Sequence, residues 1–337
     1  MSQITIIGSG IIGLYTAFLL TERGIDPKNI KIIAEFLPGD QSIKYASPYA
    51  GAYFSACIHE DSLKYSKYTY QNIETLKSKL GENSGIGSVP STEYLDKIPA
   101  DAYVEKLKSF LHDFELVTPP SYLTTAKVGV RYRAFVFNAP LLIANILAYV
   151  KSLGVTVERR KLSHVNEAFK EGATTVFNCS GTGSMELGGV QDPKSFPTRG
   201  QVVVVRAPHI KECMSLWDDA STYIIKRPDS INDEVILGGF YQPENFDANT
   251  YGYETEDILK RVTKLNPKLL EDNEKGKEIK DLQILRVVSG ARPSRKGGVR
   301  IEKEVTELGT IIHNYGAGGQ GYLCGLGMSS AGVDLLI

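Results

Sequence analysis

Ile4-Thr5-Ile6-Ile7-Gly8-Ser9-Gly10-Ile11-Ile12-Gly13-Leu14-Tyr15-Thr16-Ala17 decides how the rest of the chain is read. An apolar, β-branched run ended by Gly8 reads as a fully buried parallel strand. Leu14 to Leu20 reads as a helix with one apolar face. Strand, glycine turn, helix is the opening of a dinucleotide-binding unit. Gly8 permits the tight turn, Gly10 lets backbone approach a pyrophosphate, and Gly13 lets helix and strand pack closely. The helix N-terminus adds unpaired N–H groups and a positive dipole, so an anion is held without Lys or Arg.

An ordinary tight βα turn shows the same three glycines, so the next strand discriminates. Ile30-Lys31-Ile32-Ile33-Ala34 is followed by Glu35, about twenty residues past the glycines, where this arrangement places the acid that accepts hydrogen bonds from a ribose 2′-OH. An acid there favours FAD or NAD and repels the 2′-phosphate of NADP.

The chain has 337 residues, 42% hydrophobic and 23% charged, with a formal net charge of −1. That is enough for a sizeable core in one or two domains, and it gives no electrostatic case for nucleic acid or a membrane surface. Arg292-Pro293-Ser294-Arg295-Lys296 is too short for a basic track. A small-molecule partner is the expectation. Cys57, Cys179, Cys213 and Cys324 lack Cys-x-x-Cys spacing, and His59, His112, His164, His209 and His313 are dispersed. No metal site and no disulfide framework are expected. No leader pattern and no apolar run of spanning length is found, which reads as soluble and not secreted.

Beyond a turn at Phe36–Asp40, Tyr45–Phe54 is rich in small and aromatic residues that let backbone lie against something flat. A helix is predicted from Asp61 to Leu80, then a polar loop from Glu82 to Ser91. Lys127–Phe137 reads as a strand. Leu141–Leu153 reads as a helix capped by Asn138, with Pro140 in its first turn. Strands at Val155–Glu158 and Thr175–Asn178 flank a short helix near Val165–Phe169, and the second runs into Cys179-Ser180-Gly181-Thr182-Gly183. Gln201–Val205, Thr222–Ile225 and Val235–Gly239 are closely spaced strands, as in an antiparallel or mixed sheet. A helix from Thr255 to Leu270, strands at Leu282–Val288 and Val299–Ile301, and a strand Thr310–Tyr315 running into Gly316-Ala317-Gly318-Gly319-Gln320-Gly321 complete the chain. Glycine clusters at its beginning, middle and end predict two interleaved domains in a mixed α/β (α+β) fold.

Four stretches together resemble the D-amino-acid oxidase family, which includes the D-aspartate oxidases: Gly8–Gly13, Ser47-Pro48-Tyr49-Ala50-Gly51, Val288-Ser289-Gly290-Ala291-Arg292-Pro293-Ser294-Arg295, and His313–Tyr322. The resemblance implies an FAD-dependent oxidase with a Rossmann-like FAD-binding domain (1–55, 138–200 and 288–337) and an antiparallel or mixed-sheet substrate domain (56–137 and 201–287). It implies that Gly8, Gly10, Ile11, Ile12 and Gly13 meet the pyrophosphate and Glu35 the ribose. Ser47 joins the cofactor-binding set, and Ala50, Gly51 and Ala52 lie beside the flavin ring. Leu162, Ser180 and Gly181 fall near the adenosine half, and Gly318, Gly319, Gly321, Tyr322 and Leu323 around the isoalloxazine. Arg292, also placed in the cofactor set, would pair with the substrate α-carboxylate. Tyr223 would bond the same group, Tyr241 would close the pocket, and the Gly319 carbonyl would accept from the amine.

The residue chemistry agrees. A planar guanidinium matches a carboxylate bidentately, and a Gly-Ala-Arg-Pro turn after a Val-Val strand would aim Arg292 inward. No His, Glu or Lys stands beside a motif as a base, which fits hydride loss from the α-carbon with positioning as the protein's part. The same absence discounts an NAD-dependent dehydrogenase, and a flavin-binding protein without turnover is the third class. An acidic substrate would need a second cation, for which His59 and Lys64 are candidates. Beside Glu60 and Asp61 they read instead as an exposed helix start. Tyr53, Phe54, Trp217, Tyr241 and Tyr322 predict an aromatic pocket for neutral side chains. Against the family pattern, Lys226 replaces a proline, Ala291 a bulkier residue, and Ile301–Ile311 is short, which leaves the geometry of an expected homodimer open. Most members of the family end in a Ser-Lys-Leu type signal where this sequence has Asp334-Leu335-Leu336-Ile337, so a peroxisomal location rests on resemblance, with a cytoplasmic one as the alternative.

Overall fold

The strand Gln3–Ile7 lies inside a six-stranded sheet, between Ala173–Asn178 and Ile30–Ala34. The computed structural model describes residues 3–56, 60–218 and 220–336. In order, this first sheet runs Arg300–Thr306, Gly309–Tyr315, Ala173–Asn178, Gln3–Ile7, Ile30–Ala34, Thr156–Arg159, all parallel except the first. Ile6, Ile30 and Ile32 are fully buried in it, as expected for central strands covered on both faces. The helices Ile11–Glu22, Leu63–Leu80, Ala139–Leu153 and Gly321–Asp334 pack together over it. Their shared core includes Leu14, Ile73, Ile146 and Met328, each such side chain contributing about 1.5–3 kcal/mol by leaving water.

The second sheet has nine strands. Gln242–Pro243, Ser195–Arg206, Glu234–Gly238, Thr222–Lys226, Cys213–Trp217, Ile86–Leu95, Val128–Phe137 and Glu115–Val117 follow in order, with Gln283–Arg295 paired along Ser195–Arg206. Its pairs are antiparallel except Ile86–Leu95 with Cys213–Trp217, which makes it mixed. The helix Gly252–Leu265 covers one face through Ile258, Leu259 and Val262.

Several local expectations are corrected. The loop foreseen for Glu82–Ser91 gives way to the strand Ile86–Leu95, whose Gly87, Ser88 and Pro90 carry little strand propensity. Pairing with Val128–Phe137 on one side and Cys213–Trp217 on the other builds it. The helix foreseen from Thr255 to Leu270 stops at Leu265 and resumes as Lys268–Glu271, because Asn266 precedes Pro267 and is held extended. Asn138 does stand at the N-cap of Ala139–Leu153, but its side chain makes no cap bond. Its amide donates instead to the carbonyls of Pro228 at 3.1 Å and Asp229 at 3.3 Å, tying the helix to the second sheet. Arg292 lies within the long strand Gln283–Arg295 and not in a turn. Pro293 is tolerated there because this edge strand faces Pro197 across its one ladder.

His313 is fully buried in the first sheet between Asn178 at 3.1 Å and Glu304 at 3.0 Å. Burial pushes its pKa below the ordinary value, outweighing the raising effect of Glu304. The folded state therefore prefers the neutral ring. The stability this ring supports is present above the unfolded value of about 6.5 and is lost as the pH falls below it toward the folded value. Thermal melts from pH 8 to 5 are expected to show the advantage of the native chain over His313→Asn shrinking as the pH drops below about 6.5. A constant difference would contradict it.

Candidate active site

Four parallel strands end at one cavity. Gly8 follows Ile7, Glu35 follows Ala34, Cys179 and Ser180 follow Asn178, and Gly316 follows Tyr315, and all of them line a space of about 1430 Å³. Open α/β sheets bind their ligands at this carboxyl edge. The first turn is built by backbone contact. Gly8 has φ +101°, and a Cβ on it would meet the Cys179 carbonyl oxygen at 2.6 Å. A Cβ on Gly13 would stand 2.1 Å from the Gly8 carbonyl oxygen. Gly13 lies off the cavity and serves this packing.

Ser47 completes the turn, its hydroxyl accepting from the Ile11 N–H at 2.9 Å, while the Tyr322 hydroxyl donates to the Ser47 carbonyl at 2.9 Å. The N-terminal, middle and C-terminal parts of the chain thus meet at one helix end. Ala50, Gly51 and Ala52 run along the cavity. Ala52 is held at φ +58°, a left-handed conformation costing of order 1 kcal/mol for a residue with a Cβ. The bonds Phe137 N–H to Ala52 O at 2.9 Å and Phe54 N–H to Phe135 O at 2.7 Å hold it there.

Arg292 enters from the second sheet, half-buried, its guanidinium pressed on backbone. A Cβ on Gly200 would come within 2.4 Å of Nη1. Nη1 donates to the carbonyls of Phe240 at 3.1 Å and Arg199 at 3.4 Å. Nε and Nη2 make no hydrogen bond, and no carboxylate lies within 4 Å, among the described residues. Arg199 on the neighbouring strand is the opposite case. It is 1% exposed, bonded to both oxygens of the buried Glu254 at 3.0 and 2.9 Å, and bonded to Gln242 at 2.6 Å. One arginine is neutralised and one is left with a free fork.

Tyr223 lies over the Gly238–Gly239 backbone, where a Cβ on Gly238 would meet its ring at 2.2 Å. Its hydroxyl has no partner among the described residues. Tyr241, 60% exposed, stands at the rim with its ring 5.9 Å from the Arg292 guanidinium. Gly318, Gly319, Gly321, Tyr322 and Leu323 also line the cavity, and a Cβ on Gly319 would meet the Arg292 side chain at 3.5 Å. Leu162, Ser180, Gly181, Ile11 and Ile12 line the cavity as well, and Glu35 pairs with Lys161 at 3.3 Å.

One expectation changes, that for Phe54, while Lys64 stands at an exposed helix start, as expected. Phe54 is 1% exposed in the core among Tyr70, Phe110 and Tyr132, not on the cavity. Lys64 is exposed on the helix Leu63–Leu80 and also stands off the cavity. His59 lies outside the described residues. No described histidine lines the cavity. Burial pushes the Cys179 thiol up to about 12, which keeps it protonated and no nucleophile. No group of three or more metal-ligating side chains is found among the described residues, and no described helix is long and apolar enough to cross a membrane. Sequence reading missed Gly200 and Gly238, whose role is to make room. It also missed Ser55, Ile225 and Phe240 on the wall.

The cavity fits a dinucleotide on this structure's own terms. It has a glycine cradle that a Cβ would fill, an acid at the next strand end, and the buried Ser180 hydroxyl with no partner. Comparison with known proteins agrees. Residues 3–335 match the family described as FAD dependent oxidoreductase. A D-amino-acid oxidase of Schizosaccharomyces pombe is 37% identical over 99% of this chain and 96% of its own length. A D-aspartate oxidase of Cryptococcus neoformans is 28% identical over 98% and 96%. The solved glycine oxidase of Geobacillus kaustophilus superposes with TM-score 0.76 at 18% identity, over 99% of this chain and 94% of that one. The chain belongs to the FAD-dependent oxidoreductase family. FAD is its cofactor, and it is an enzyme.

Gly200→Ala is expected to lower kcat/KM about tenfold or more by lifting the guanidinium off its carbonyls, with FAD content and Tm close to those of the native protein. Unchanged kinetics would mean that Arg292 needs no such bed.

Proposed function

We propose that this enzyme is a D-amino-acid oxidase for substrates with neutral side chains. The observation that carries the reading is Arg292, a half-buried guanidinium with two unspent donor nitrogens and no carboxylate partner among the described residues. A charge drawn from water is unfavourable until an anion meets it, and a planar fork selects a carboxylate. The unpartnered Tyr223 hydroxyl would donate to the same group. The Gly319 carbonyl would accept from the amine, and Tyr241 would close the rim. The substrate is thereby held with one face of its α-carbon toward the glycine cluster Gly316–Gly321.

FAD, when bound, supplies a two-electron acceptor that O2 reoxidises with release of hydrogen peroxide. Gly8, Gly10, Ile11, Ile12 and Ser47 would hold its phosphates, Glu35 its ribose, and Leu162, Ser180 and Gly181 its adenosine half. Ala50–Ala52, Gly318, Gly321, Tyr322 and Leu323 would border the ring. With no described histidine on the cavity, the protein's part is orientation and exclusion of water. The imino acid product hydrolyses to a keto acid and ammonia. The names of the relatives support the D configuration, and a peroxisomal location and a homodimer belong to this reading on family resemblance.

Neutral side chains fit the walls. Tyr53, Trp217, Ile225, Phe240 and Tyr241 are aromatic or apolar, and an unpaired carboxylate among them would cost several kcal/mol, roughly 2 or more.

Oxygen uptake is expected with D-alanine and D-methionine, not with their L-enantiomers, and more weakly with D-aspartate. Equal rates on both enantiomers would refute the reading, and a tenfold preference for D-aspartate, about 1.4 kcal/mol, would reverse the side-chain assignment. Arg292→Ala should lose roughly 2–5 kcal/mol of transition-state binding, read as kcat/KM, while the purified variant stays yellow. A small effect would place the carboxylate partner elsewhere.

A further inference from the structure

Behind the aromatic wall lies a carboxylate that the reaction does not use. Glu93, in the strand Ile86–Leu95, has 0% exposure. It pairs in register with Ser215, which pairs in turn with Tyr223, so the three side chains project from one face of the second sheet. Strand spacing puts Glu93 about 10 Å from Tyr223 along that face.

Each oxygen of Glu93 takes an N–H. Oε1 accepts from the Ala56 amide at 2.7 Å and Oε2 from the Trp217 indole at 2.6 Å. The Ser55 hydroxyl also donates to Oε2 at 2.7 Å. Tyr132 contacts Oε1 with a hydroxyl that also reaches the Phe54 carbonyl at 2.8 Å. No cation lies within 4 Å of Glu93 among the described residues. Ser55 and Trp217 both line the cavity, as does Tyr53, whose hydroxyl bonds Ser215 at 3.3 Å. Burial first, and the charge of Glu93 second, push the Tyr53 hydroxyl well above its ordinary pKa. The charged residues at the adjoining mouth, Asp96 and Lys97, are opposite in sign and exposed, so water screens them where it does not screen Glu93.

We propose that Glu93 is a specificity-setting positioning residue: it holds the Trp217 indole in the cavity wall and places behind that wall a fixed negative charge that turns acidic side chains away. Arg292 and Glu93 then give the cavity a cationic and an anionic wall, and a substrate with a second carboxylate is repelled at the end where its side chain falls. The inference rests on the substrate reading above and adds the residue that enforces it.

The test compares D-glutamine with D-glutamate, which match in shape and differ in charge, in the native holoenzyme and in Glu93→Gln. Trp217 is the chain's single tryptophan, so tryptophan emission, compared at equal FAD content, reports this indole alone. The native enzyme should favour D-glutamine by about tenfold or more in kcat/KM. Glu93→Gln, which sets an NH2 group against one of the two N–H donors, should narrow that ratio about tenfold and shift the Trp217 emission. Loss of activity on both substrates with the ratio intact would show a merely structural role and overturn the proposal. Should Glu93→Gln fail to fold, Glu93→Asp decides. It keeps the charge, so the ratio should survive while the emission shifts, and a collapsed ratio would overturn the proposal. If the native enzyme consumes oxygen with no D-amino acid, the substrate reading falls instead, and the emission of Glu93→Gln still shows whether Glu93 holds the indole.

Discussion

A guanidinium partly withdrawn from water, with no carboxylate to neutralise it among the described residues, is the constraint around which this molecule is arranged. Nη1 of Arg292 rests on two carbonyl dipoles, and Gly200 lets the guanidinium lie against them. One ladder position away, the fold solves the same problem in the ordinary manner, giving Arg199 a full shell of Glu254, Gln242 and backbone carbonyls. A buried ion pair such as Arg199–Glu254 contributes little net stability, because desolvation offsets attraction. Its use here is geometric. Arg199 also holds the carbonyls of Asp247 at 2.8 Å and Asn249 at 2.5 Å, fixing the segment beyond Tyr241 so that the neighbouring arginine can stay unsatisfied until an anion arrives.

Close backbone approach serves the two ligands in the same way. At Gly13 against Gly8, helix meets strand with no room for a methyl group. At Gly200 a guanidinium lies on a strand, and at Gly238 a phenol ring does. At Gly200 and Gly238 a missing side chain lets a functional group sit low against the sheet, and on the proposed reading the cofactor's cradle is on one sheet and the substrate's on the other. A methyl added at Gly200 or Gly238 would push on a side chain, whereas one at Gly13 would push on the Gly8 backbone, so the demands of function and of folding separate between these positions.

The sequence shows the cofactor side of this arrangement plainly and the substrate side unevenly. Gly8–Gly13, Glu35, Ser180–Gly181 and Gly316–Gly321 were legible because each follows a strongly apolar parallel strand, and the period of such strands is local information. Arg292 was legible only through a resemblance, and its expected turn is a strand. Ile86–Leu95 was hidden because its stability comes from partners more than thirty residues away in sequence, Val128–Phe137 and Cys213–Trp217. With it went Glu93, in a stretch to which the sequence pattern assigns no element. Gly200 and Gly238 carried no signal, since what they do is defined by the side chain that lies on them. Phe54 was misplaced for a related reason: along Tyr53-Phe54-Ser55 alternate residues face opposite ways, so Tyr53 and Ser55 reach the cavity and Phe54 the core.

On the proposed reading the α-carbon must be held about 3–3.5 Å from its acceptor, and the two holding points, Arg292 and the glycine cluster, stand on or directly after strands of different sheets. One stretch of chain joins them. The strand bearing Arg292 ends at Arg295 and passes through the hairpin Arg300–Thr306 and Gly309–Tyr315 into the glycine cluster. A cluster of charges then fixes the junction. Arg295 Nε donates to Asp192 at 2.7 Å, the Tyr315 hydroxyl donates to the same carboxylate oxygen at 2.9 Å, and Arg300 donates to the Tyr315 oxygen at 3.0 Å. Gly316 meets the Arg295 side chain so closely that a Cβ would stand 2.9 Å from it. Because Asp192 is 6% exposed, this cluster cannot slide without stranding a buried charge. The separation between Arg292 and the glycine cluster is therefore set in part by Asp192, Arg300 and Tyr315, which do not line the cavity.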